Sequence, residues 1–230
     1  MKMMPTIYKC MKPFFRDRGY LYERGSFYKI RNHIAYCIYF SRPSDLVYVQ
    51  LYILPLYMQT EEHHITYGNR ICSMYQKQLP TIHGNSNEED IVTWCNILQD
   101  ILCKDVFAFF DQIGSPEKLL ECLDSKPERI RRYLFCGDYR LKLISVYTCL
   151  YLQKYDRLPG EIEQCRIALA SFPFNAAVKE RENKELDQLE HIAMSGNENV
   201  DAFFQKVINK SKFVCFKLGD DSKTGNGSLS

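Results

Sequence analysis

The sequence predicts an α+β protein: an N-terminal helix, a four-stranded antiparallel meander covered by a long helix, and then an all-helical C-terminal part. Three observations carry that reading. From Tyr20 to Leu56 the chain is rich in Tyr, Ile, Val and Phe and alternates with period two. From Ile91 to Ile113 a single apolar stripe recurs at helical spacing. Beyond Gly114, residues that start helices and residues that stop them follow one another to about residue 210.

The first helix, residues 4–18, has Pro5 near its start and Ile7, Met11, Phe14 and Phe15 on one face. Pro13 should kink it, and Gly19 ends it. Strands at 20–24, 26–31, 34–41 and 46–56 are separated by Gly25, by Arg31-Asn32-His33 and by Arg42-Pro43-Ser44-Asp45, connections short enough to make neighbours antiparallel. In the last strand Val47, Val49, Leu51 and Ile53 alternate with Tyr48, Gln50 and Tyr52, so one face is aliphatic and should pack on helices. In the second strand Lys29 and Arg31 share one side and Tyr28 and Ile30 the other; which side meets the helices depends on register.

Residues 59–86 show no sustained periodicity and read as a long connection with room for one short element. Ser86-Asn87-Glu88-Glu89 then opens the long helix as a capping box, and Gly114 ends it; its stripe should cover the aliphatic sheet face. Ser115-Pro116-Glu117 and Lys126-Pro127-Glu128 start two shorter helices, Asp138, Pro159 and Asn175 mark three more, and a last helix covers about 200–210. Residues 138–194 resemble the helix pairs of helical-repeat proteins, without a sequence repeat. The expected organisation is a sheet domain at 1–125, a helical part at 126–218 packed on it and a disordered tail at 219–230.

With 230 residues and 46% apolar content the chain can bury a core without covalent staples. The ten cysteines stand singly, with no C-x-x-C, a usage that fits reduced, buried thiols and a cytoplasmic location better than a disulfide framework or a zinc site. No stretch approaches the ~20 apolar residues of a membrane span, and the lysine- and proline-interrupted start reads as no export signal. Net charge is +2, but residues 1–58 hold nine Lys/Arg against three Asp/Glu, a mild attraction for anions.

Lys12-Pro13-Phe14-Phe15 with Gly19-Tyr20, then Phe27-Tyr28 and the meander strands, then the run from Phe109-Phe110-Asp111 through Gly114-Ser115-Pro116-Glu117-Lys118-Leu119, give the chain a likeness. Over residues 5–125 it resembles the bacterial family called domain of unknown function 4304. These are positions that maintain a fold, so the resemblance implies an architecture and a bacterial source and transfers no catalytic residue.

The chemistry-bearing motifs are few. Phosphate loops, dinucleotide fingerprints and nucleophile elbows are absent, and no cofactor or metal is expected. Glu61-Glu62-His63-His64 has metal-binding residue types, but neighbours in an extended segment point apart, so it reads as a solvated loop. Cys72 and His83 form the least implausible thiol and base pair. The helix at 176–194 is charged on most faces and reads as solvated. The most suggestive feature is the aromatic and cationic content of the sheet region, Tyr20, Tyr22, Arg24, Lys29, Arg31, Tyr48 and Tyr52, which suits a partner-binding face. The expected function is therefore a cytosolic bacterial protein-interaction module without catalytic activity, such as an accessory or immunity-type protein of a toxin or defence system, with another protein as partner and no membrane. Two alternatives stand behind it: a hydrolase or nuclease with its site in 59–86, and single-stranded nucleic-acid binding by the tyrosine-rich face.

Overall fold

In the computed structural model the residues described are 3–23, 25–59, 68–134 and 137–218, and every structural statement refers to them. Helix α1 (Met3–Arg16) keeps Pro13 inside it and buries Met3, Ile7, Met11, Phe14 and Phe15. Gly19, at φ 75°, turns the chain into the sheet in a conformation that costs glycine little. Strands β1 (Leu21–Glu23), β2 (Ser26–Arg31), β3 (Ile34–Ser41), β4 (Tyr48–Pro55) and β5 (Gly68–Arg70) lie in that order in one antiparallel sheet. Asn32 and His33 both take positive φ, the backbone of the tight two-residue hairpin that joins β2 to β3.

Four of the strands match the predicted meander; the fifth lies inside the connection read as irregular. Its three residues Gly-Asn-Arg carry no apolar pattern, and β5 exists because Gln50, Leu51 and Tyr52 of β4 offer it paired backbone. Any side chain at Gly68 would run into the Tyr52 ring and the Leu51 carbonyl. The rest of the connection holds α2 (Ile71–Met74) and returns to the sheet region through a bridge between Leu46 and His83.

The register settles the two faces. Phe27 lies opposite Ile38, Lys29 opposite Tyr36 and Arg31 opposite Ile34, so these six share one face. Helices cover that face: Phe15 of α1 stacks on Phe27 with centroids 4.2 Å apart, and Phe110 lies 4.9 Å from Tyr36. The long helix runs as α3 (Glu88–Ile101), a π-helical turn (Leu102–Val106) and α4 (Phe107–Gln112). Its cap is Asn87, whose side chain accepts from the Asp90 amide, one residue later than the predicted Ser86. Ser86 instead accepts from the His83 amide and closes the preceding turn. Helices α5 (Pro116–Ser125), capped by Ser115 as predicted, and α6 (Pro127–Leu134) follow.

Contacts divide the chain into two compact units, residues 1–54 with 65–137, and 55–64 with 138–230. The division falls after Gly137, not after residue 125, because α6 packs on β5 and so joins the sheet unit. The second unit contains α7 (Asp138–Tyr151), α8 (Leu158–Ser171), α9 (Ala176–Met194) and α10 (Asn197–Phe216). Helix α10 is longer than the predicted 200–210 segment, beginning just after Gly196 at φ 93°. Within this unit Glu182 is 3% exposed and accepts from Tyr139, with Arg181 at 2.9 Å and Arg140 at 3.7 Å. Tyr57 stacks on Tyr151 at 4.4 Å. The predicted tail, 219–230, lies outside the described residues.

Candidate functional site

Three of the seven residues singled out in the sequence come together at the β1–β2 edge of the helix-covered face. Tyr20, Lys29 and Arg31 line a cavity of about 340 Å³ with Arg18, Tyr36, Phe107, Phe110 and Asp111. Each side chain is placed by its element. Period two on β2 puts Lys29 and Arg31 on one side, and helical spacing on α4 brings Phe107, Phe110 and Asp111 to face them. The π-helical turn matters here, because its extra residue rephases α4 by about 100° relative to α3.

The cavity has an aromatic wall and a cationic rim. Phe107 lies 5.5 Å from Tyr20 and 6.3 Å from Phe110, measured between centroids. The Arg18 guanidinium sits 3.9 Å over Phe14, donates to the Phe14 carbonyl at 2.9 Å and reaches the Cys103 sulfur at 3.4 Å. Lys29 Nζ donates to the Arg18 carbonyl at 2.9 Å. Arg31 donates to Asp111 Oδ1 at 3.0 Å and to the Phe110 carbonyl at 3.3 Å, while its Nε is buried with no hydrogen-bond partner. Three cations thus face one carboxylate. Tyr36 donates to the Ile113 carbonyl at 2.9 Å; burial pushes its hydroxyl up to about 12, against the pull of Arg31, so it stays a neutral donor. Burial likewise raises Tyr20.

The other four residues do not join this site. Tyr22, 40% exposed, packs edge-on to Tyr8 under the Lys12 ammonium. Arg24 lies outside the described residues. Tyr48 and Tyr52 point to the opposite face, since they alternate with the buried Val49, Leu51 and Ile53. There Tyr48 lies under Arg70 and Tyr52 donates to Gln50. The single tyrosine-rich surface expected from composition is corrected to two groups on two faces, because alternation sends β2 cations and β4 tyrosines to opposite sides.

The connection 59–86 contributes a larger cleft, about 690 Å³, lined by Tyr75, Lys77, Lys104, Asp105 and Arg132 among others. Its centre is already saturated. Asp105 accepts from both Tyr75 and Tyr133, with Arg132 at 3.7 Å. Burial alone would raise the Asp105 carboxyl, but the hydrogen bonds from Tyr133 and Tyr75 and the charges of Arg132 and Arg129 outweigh it and hold it below its ordinary value. Lys104 is tied to Asp100 at 2.7 Å. The cluster reads as a polar lock between the connection, the π-helical turn and α6.

The Glu61–His64 cluster lies outside the described residues, and among those described no group of three or more His, Cys, Asp or Glu could hold a metal ion. Cys72 points at the Val47 carbonyl and burial raises its thiol, the opposite of what a thiolate nucleophile needs. No described helix is long and apolar enough to cross a membrane. No family model, curated protein or solved structure matches the chain.

Sequence reading missed Arg18, Tyr36, Phe107, Phe110 and Asp111 as site residues. Phe110 and Asp111 were visible only as stripe and helix-end residues, and nothing in their spacing signals that Arg31 meets them.

Proposed function

We propose that this chain is a bacterial cytoplasmic protein-interaction module that docks an acidic element of a partner protein in the Arg18–Lys29–Arg31 pocket. One observation carries the reading: three cations, Arg18, Lys29 and Arg31, line an aromatic-walled cavity whose lining holds a single carboxylate, Asp111. Cysteines that stand singly in the sequence, five of them buried among the described residues, favour a reducing compartment, and the resemblance to the domain of unknown function 4304 family favours a bacterial source. The alternative of a nucleic-acid platform is less favoured, since Tyr48 and Tyr52 lie on the face opposite these cations and a cavity of about 340 Å³ has room for one ring, not for a run of stacked bases.

The test is retention on immobilised protein. Wild type should hold an acidic partner from a bacterial lysate at low salt and release it at about 0.5 M salt, where exposed charges are screened. Lys29→Glu should retain none. Equal retention by both proteins would sink the proposal.

A further inference from the structure

Resting on that docking reading, we infer that the anion this pocket selects is an aryl phosphate: one aromatic ring carrying a dianionic head. The size comes first. At about 340 Å³ the cavity lies at the lower end of the ~300–1,000 Å³ of small-molecule sites, room for one ring and its substituent. The wall comes second. Phe107, half-buried, stands between Tyr20 and Phe110 and offers a ring surface against which a flat group can pack.

The charge decides between heads. Arg18, Lys29 and Arg31 against Asp111 leave a formal +2. A carboxylate offsets half of that, whereas a phosphate monoester carries about −1.5 to −2 at neutral pH and brings three acceptor oxygens. The donors to meet those oxygens are present. Lys29 spends one of its three N–H groups on the Arg18 carbonyl, and the two terminal nitrogens of Arg31 each spend one of two, on Asp111 and on the Phe110 carbonyl. The same chemistry is presented by a free aryl phosphate and by a phosphotyrosine side chain.

The experiment is calorimetric titration of the full chain with phenyl phosphate, inorganic phosphate and benzoate. Two matched hexapeptides, one with phosphotyrosine and one with glutamate, complete the set. Phenyl phosphate should bind at least about tenfold tighter than inorganic phosphate or benzoate, the ring and the second charge each contributing. Lys29→Met should weaken it about fivefold or more with an unchanged melting temperature. Gly114→Ala should weaken it too, because a methyl group there meets the Arg31 guanidinium and displaces it. Lys104→Met, outside the pocket, should leave it unchanged. A phosphotyrosine peptide binding as tightly as phenyl phosphate assigns the source to a modified protein; weaker binding assigns it to a free small molecule. If the glutamate peptide binds as tightly as phenyl phosphate, the aryl phosphate inference is overturned and acidic docking stands. If no probe binds, both readings fall together.

Discussion

At the scale of single residues, Asp105 shows how one carboxylate can organise its surroundings. Two tyrosines donate to it, and an arginine stands beside it. Asp105→Ala strands both hydroxyls, and we predict a loss of about 1–3 kcal/mol at pH 7 in urea unfolding. The pH dependence follows from the depressed folded-state pKa. The contribution is fully present above the unfolded carboxylate value near ~4 and is lost as pH falls through the lower folded value. The gap between wild type and Asp105→Ala should therefore narrow as the medium is acidified below that range; a gap that widens in acid would contradict this assignment. None of this was legible in the sequence, where Asp105 is one acid on a helix and Tyr75 and Tyr133 lie 30 and 28 residues away. Lys29 and Arg31, by contrast, were picked out correctly as a pair on one side of a strand, because period two is a local rule.

Among elements, those with a periodic apolar face were readable and those held by their neighbours were not. The first helix, strands β2 to β4 and the long helix follow from spacing, turn residues and caps. Strand β5 has no such pattern and is defined by pairing with β4. The π-helical turn was equally hidden, since an extra residue inside a helix leaves no mark in composition. It has a testable consequence. Deleting Cys103, which is exposed, removes the extra residue and should turn the π-helical turn into ordinary helix with α4 still in phase, Phe109 on Tyr133 and Phe110 on Tyr36. Deleting the exposed Asn96 within α3, where no extra residue is present, should instead rotate the following helix by about 100°. We predict a lowered melting temperature and loss of anion binding for the Asn96 deletion and far smaller changes for the Cys103 deletion; equal losses in the two would show that the π-helical turn does not hold the extra residue.

For the whole molecule, the α+β class with helix, sheet and helical half in that order was legible because each segment's period is internally consistent. The boundary was not, since helix starts at 116 and 127 look alike and only packing on β5 assigns α6 to the sheet unit. In the helical unit Glu182 plays a part that sequence hid, being the one fully buried acid on a helix read as solvated. Glu182→Ala leaves the Tyr139 hydroxyl without its acceptor, and amide exchange across α7 and α9 should quicken by the equivalent of about 1–3 kcal/mol. Glu182→Gln, which keeps an acceptor oxygen, should cost less; an equal cost would point to lost charge, not a lost hydrogen bond.

The proposed function requires this molecule to receive an anion at one edge of its sheet. Amide and side-chain chemical shifts recorded while a glutamate-rich peptide is titrated into the full chain test that requirement most directly. The shifts should concentrate on Arg18, Lys29, Arg31 and Phe107 and vanish in Lys29→Glu. Shifts scattered over the basic surface, or centred on Tyr48 and Tyr52, would contradict it.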